Sequence, residues 1–145
     1  AAQGQDGGVL VADDDRDALA ILVAEVRAID PDAEVRTAST GYRALVACNE
    51  WRPDLAVLDY HMPEMTGLQA AGILRDRGIR CEVVTSSPIS DEVARKTSAK
   101  DRVVALLPVW MGVEHPRART HIKRDRTLAE VMLTWWPLPG RAHHA

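Results

Sequence analysis

The stretch LAVLDYHMPEMTG, residues 55–67, decides the reading of this chain, together with VLVADDD at residues 9–15. Each is an apolar, partly β-branched run that ends on a carboxylate. Such runs read as strands buried on both faces, with the acid where the strand reaches solvent. If the two strands lie side by side, Asp13, Asp14 and Asp59 converge at one edge of a sheet. Three carboxylates in one place repel one another unless a hard divalent cation sits among them. A small acidic cation site is therefore the first expectation, with Asp59 the most exposed candidate for chemistry.

Working outward, Leu19, Leu22, Val23, Val26 and Ile29 recur at helical spacing, which predicts an amphipathic helix over 16–29. Asp13 to Asp15 supply its N-cap and first-turn negative charge, and Asp30-Pro31 ends it. Taken alone, those three acids are a helix cap; beside Asp59 and the Met-Pro loop, a cation site accounts for them better. A second strand is predicted over 34–38. Ser39-Thr40-Gly41 opens a helix running to Asn49, with Tyr42, Leu45 and Val46 facing inward. Arg52-Pro53-Asp54 is a turn, 55–58 a third strand, and 63–67 a loop. A helix follows over 68–77, stopped by Gly78. Residues 82–85 and 103–107 read as strands four and five, with a helix start at Ser90-Asp91-Glu92 between them. Met62 and Met65 read as packing residues that shape the loop.

Strands alternating with helices at this pitch predict an α/β fold: a doubly wound, five-stranded parallel sheet with helices on both faces. Ligands of such sheets bind at the carboxyl ends of the strands. Asp13, Asp14, Asp59, Thr85 and Ser86 all fall at predicted strand ends.

At 145 residues the chain reads as one domain, and 46% hydrophobic with 27% charged residues is ordinary for a globular protein. No run approaches the ~18 apolar residues of a membrane span, and AAQGQDGG has no signal-peptide core, so the expectation is a cytoplasmic protein with a flexible leader over 1–7. Cys48 and Cys81 have no CxxC spacing and read as small buried hydrophobes. Charge is uneven: residues 1–107 carry 18 acids against 12 Lys and Arg, residues 108–145 three against six. The segment 108–145 is divergent in character, with a last helix expected at about 125–136. Its basic run (Arg117, Arg119, Lys123, Arg124, Arg126) reads as a solvated linker. With no helix-turn-helix pattern after it, nucleic-acid binding is not expected.

VLVADDD, VLDYHMPEMTG and VVTSS, in that order and on alternate strands, resemble the receiver domain of two-component response regulators over about residues 8–107. The spaced set Asp59, Met62, Pro63, Met65 and Gly67 is the most specific part. The resemblance implies that Asp59 accepts a phosphoryl group from a histidine kinase or phosphotransfer protein. It implies Mg²⁺ held by Asp14, by Asp13 through a water, by Asp59, and by the backbone carbonyl of His61. It makes Thr85 a switch hydroxyl and Ser86 the small neighbour that leaves room for the donor. A downstream protein would read the switch, and a homodimer is compatible with it. The His61 side chain reads as a solvated loop histidine.

One departure stands out. The family places a lysine before a proline at the end of the fifth strand, and here that position is Leu107, which supplies neither charge nor hydrogen bond. The alternative it raises is an interaction module of the same fold with impaired phosphorylation or switching. An aspartyl-nucleophile hydrolase is a weaker reading, because that class wants a second acid two residues after the nucleophile and His61 stands there.

Overall fold

A computed structural model describes residues 8–85, 103–106, 123–126 and 128–133. The described elements are β1 (Val9–Ala12), α1 (Arg16–Ile29), β2 (Val35–Ala38), α2 (Gly41–Glu50), β3 (Leu55–Asp59), α3 (Gly67–Asp76), β4 (Cys81–Thr85), β5 (Val103–Leu106), β6 (Lys123–Arg126) and α4 (Leu128–Leu133). All strands run parallel in one sheet, in the order β2-β1-β3-β4-β5-β6. The first five match the expected sheet, and the helices lie on both faces.

Alternation along the strands divides the core in two. Leu10, Ala12, Ala56, Leu58 and Val83 face a layer built from α2 and α3, where Ala44, Cys48, Ala70, Ala71 and Leu74 pack. Val9, Val11, Leu55, Val57 and Val84 face the other layer, closed by Leu22 and Val26 of α1 and by Leu128, Val131 and Met132 of α4. Each fully buried Val or Leu contributes roughly 1.5–3 kcal/mol of burial. Continuous apolar strands form because both faces of the sheet are covered. Glu82, 1% exposed, is a buried acid within β4, level with Val57 of β3.

Local chemistry sets the helix starts. The Asp15 carboxylate caps α1 by accepting from the Asp17 and Ala18 amides at 2.9 and 3.2 Å. Thr40 caps α2 through the Arg43 amide at 3.0 Å. Thr66 and Gln69 cap α3 reciprocally, at 3.3 Å from the Gln69 amide to the Thr66 hydroxyl and 2.9 Å from the Thr66 amide to Gln69 Oε1.

Two local expectations need correction. Lys123–Arg126 form a sixth strand beside β5, with Val104 level with Lys123 and a register shift before Leu106 meets Arg126, where the sequence reads as a linker and then a helix. A charged tetrapeptide has no apolar alternation to announce a strand; pairing with β5 supplies it. Tyr42 and Val46 are 53% and 55% exposed rather than inward. The inward face of α2 is instead Gly41, Ala44 and Cys48, small residues that let the helix sit close to the sheet. Residues 1–7, 86–102 and 107–122 lie outside the described set, and with them the leader, the helix start at Ser90, and the positions of Ser86 and Leu107.

Candidate functional site

The sheet order places β1 and β3 side by side, with Ala12 level with Leu58. The residues that follow therefore meet at the carboxyl edge. Asp13, Asp14 and Asp59 each offer a carboxylate oxygen, and these atoms lie within 4.8 Å of one another. Asp13 and Asp59 are buried, at 4% and 7% exposure, and Asp14 is exposed. The cluster thus opens to solvent on the Asp14 side, and Asp59 is not its most exposed member.

Electrostatics follow from this packing. Burial pushes the Asp59 carboxyl up to about 8, with the nearby Asp13 and Asp14 charges adding to the rise and the His61 backbone N–H opposing it. Burial likewise raises Asp13, opposed chiefly by the Asp15 amide, which donates to Asp13 Oδ1 at 2.9 Å. An oxygen-only donor set that resists ionising by itself fits a hard divalent cation, since the cation removes the repulsion that raises these groups.

The loop after β3 is held by the Tyr60 carbonyl, which accepts from the Met62 amide at 3.2 Å and the Gly67 amide at 3.1 Å. The start of α3 is pressed against the end of β3 and this loop. A Cβ at residue 67 would overlap the Asp59 carbonyl oxygen and lie 2.9 Å from its carbonyl carbon and 3.2 Å from Tyr60 Cα. Only glycine allows that approach, a role the sequence signals solely through its spacing from Asp59. Met62 and Met65 are buried beneath the loop. Glu64 sits at φ 68, a left-handed conformation that costs a residue with a Cβ roughly 1 kcal/mol. Glu64→Gly is therefore expected to raise stability by about 0.5–1 kcal/mol, read as a shift in denaturation midpoint at unchanged slope.

Thr85 ends β4 and is 1% exposed. Val84 is level with Asp59, so Thr85 stands one residue further toward the carboxyl edge. His61 is exposed, with its ring edge-on to Tyr60 at 4.9 Å. Its imidazole is not among the atoms of the acidic cluster. Both cysteines are buried free thiols; burial raises Cys48 to about 11 and Cys81 to about 12, so neither is a ready nucleophile. Among the described residues no helix is long and apolar enough to cross a membrane.

Residues 9–107 match the response regulator receiver domain. The chain belongs to that family. This receiver is 33% identical over 125 residues to the transcriptional regulatory protein KdpE of Mycobacterium tuberculosis, covering 85% of this chain and 54% of that protein. It is 31% identical over 137 residues to the protein-glutamate methylesterase/protein-glutamine glutaminase 4 of Geobacter metallireducens, covering 89% of this chain and 39% of that protein. The receiver thus spans only part of the curated relatives it matches, from 24% to 54% of their lengths. Its fold is also that of the signal receiver domain of a DNA-binding response regulator from Colwellia psychrerythraea, with a TM-score of 0.54 at 22% identity, covering 62% of this chain and 76% of that one.

Proposed function

We propose that this receiver accepts a phosphoryl group on Asp59, with Mg²⁺ bound, from a histidine kinase or phosphotransfer protein in the cytoplasm, and signals to a downstream protein by a changed contact. The observation that carries this reading is the meeting of Asp13, Asp14 and Asp59 oxygens within 4.8 Å at the carboxyl edge of the sheet. The chain would act only in its own phosphotransfer and dephosphorylation, not on an external substrate.

In this reading an Asp59 oxygen attacks phosphorus, the bond from phosphorus to the donor's imidazole nitrogen breaks, and an acyl phosphate forms. The attacking form is the carboxylate, and a group held near 8 is mostly protonated at neutral pH. Asp13, Asp14, Asp59 and the His61 carbonyl would hold the cation. When bound, Mg²⁺ supplies positive charge that keeps Asp59 ionised and offsets the charge of the incoming phosphoryl group. The His61 N–H orients the Asp59 carboxylate and the Asp15 amide orients Asp13. Thr85 would turn its hydroxyl toward the phosphoryl oxygens and so report a charge of about −2 at Asp59.

The test is incubation with Mg²⁺ and acetyl phosphate, read by mass. A gain of one phosphoryl group that is absent from Asp59→Asn and without Mg²⁺ supports the reading; no adduct on the wild-type chain overturns it. Mass is the better readout, because Trp51 packs against Gly8 before β1, at the opposite end of the sheet from Asp59. The interaction-module alternative is not favoured, since the acidic cluster is assembled. Leu107 instead bears on the cation requirement. Introducing Leu107→Lys is expected to lower the Mg²⁺ concentration for half-maximal phosphorylation by about threefold to tenfold, the effect of one added favourable charge. An unchanged requirement would count against that part of the proposal.

A further inference from the structure

We propose that the open edge of β2 is a docking site for an extended acidic segment of a partner protein, which adds a strand to the sheet. Among the described residues β2 has one strand neighbour, β1. The Val9 amide donates to the Glu34 carbonyl and the Asp13 amide to the Ala38 carbonyl. Backbone groups alternate in direction along a strand, so those of Val35 and Thr37 face the open side. They offer a short template for strand pairing.

Two grooves flank that edge, one on each face. The α1-side groove, about 410 Å³, is lined by Leu19, Val23 and Thr37 between Arg16 and Arg27. The α2-side groove, about 710 Å³, includes Tyr42, Arg43 and Val46. Leu19 and Thr37 line both, so the two are continuous over the edge. Side chains of an added strand would alternate between them.

Charge selects the occupant. The α1-side groove is lined by two arginines and no acid, whereas the α2-side groove sets Arg43 against two acids, Glu50 and Glu64. Arg36 of β2 is already engaged, by Glu34 at 3.0 Å and by the Trp51 ring at 4.6 Å. The fitting segment therefore carries carboxylates on alternate residues, facing α1, and apolar residues between them, facing the exposed Tyr42 and Val46. A second copy fits less well. Antiparallel pairing of two β2 edges about a two-fold axis sets α1 beside α1, which gathers the Arg16 and Arg27 pairs of both copies on one face.

The experiment uses the whole chain and two end-blocked, fluorescent octapeptides, one alternating Glu and Val, the other Lys and Val. Anisotropy should give a Kd on the order of 100 µM for the Glu peptide, suited to so small an interface, and at least about tenfold weaker binding for the Lys peptide. Amide NMR shifts should concentrate at residues 35–38. Thr37→Pro removes an outward N–H while sparing the β1 ladder, and should weaken the Glu peptide by about tenfold or more. Arg16→Glu with Arg27→Glu, both exposed on α1, should reverse the peptide preference without depending on any change at β2. Equal binding of the two peptides, shifts elsewhere, no saturation by about 1 mM, or self-association that occupies this edge would overturn the proposal. Phosphorylation of Asp59 should be unchanged in Arg27→Glu alone, at the far end of α1 from the acidic cluster, so the two readings fail separately.

Discussion

Without divalent cations, the protein is expected to lose stability steadily as pH rises from about 4 to about 8, and to regain it when Mg²⁺ is added. Asp59 carries the sign. Its folded value, about 8, lies far above the ordinary value of 3.8. Below about pH 4 the carboxyl is protonated in folded and unfolded chains alike, and its ionisation costs folding nothing. Between the two values the unfolded chain releases the proton and the folded chain keeps it, so each pH unit removes up to ~1.4 kcal/mol. Above about 8 both states are ionised and the loss stops growing. Asp13, also raised by burial, acts in the same direction. The total loss is on the order of 2–5 kcal/mol, large against the 5–15 kcal/mol that holds a domain together. Urea denaturation at pH 5 and pH 8 in chelator measures it. Asp59→Asn should flatten most of the slope and make the cation-free protein more stable at pH 8 than the wild type. Binding of Mg²⁺ near neutral pH should release protons, visible as buffer-dependent heat in calorimetry. A pH-independent midpoint for the wild type would remove the electrostatic basis of the site.

Gly67→Ala is expected to be the most damaging glycine-to-alanine change among the described residues. The new Cβ would occupy the space of the Asp59 carbonyl oxygen, and the neighbouring contacts at 2.9 and 3.2 Å are also backbone. Backbone atoms cannot swing aside as a side chain can, so either α3 backs away or the Asp59 peptide moves. The cost is about 3 kcal/mol or more, lowering the melting temperature by roughly 10 °C. Retreat of α3 also strains the 3.1 Å Gly67 amide to Tyr60 carbonyl bond that holds the loop. Cation binding should weaken along with stability, because Asp59 loses its place relative to Asp13. Gly72→Ala on the same helix is the control. A Cβ there meets nothing within 4 Å, and alanine is the better helix former, so it should be neutral or stabilising by up to ~1 kcal/mol. Equal melting of the two variants would contradict the close approach described at Asp59.

The sheet was legible because its strands carry their own signal. Val9–Ala12 and Leu55–Asp59 are apolar at consecutive positions, which suits a strand buried on both faces, and each ends on an acid. The acidic site was legible for the same reason, since strand ends of a parallel sheet share an edge. The face of α2 was not. Leu45 does pack partly against the core, but Tyr42 and Val46 do not despite their inward spacing: the approach of Gly41 to Met65, within 3.1 Å of a Cβ there, favours the small-residue face. Nor was β6 legible, because a Lys-Arg-Asp-Arg strand owes its conformation to a neighbour rather than to its own residues.

By itself the sequence determined which residues can bear charge and chemistry here, and the order of the units that carry them, because burial periodicity and residue type are local properties. Only the tertiary structure decided that Asp59 lies deep and Asp14 open, that residue 67 must lack a side chain, and that Tyr42 and Val46 face solvent beside an open strand edge. Those depend on how closely elements distant in sequence approach, and close approach is set by packing across the sheet rather than by any one segment.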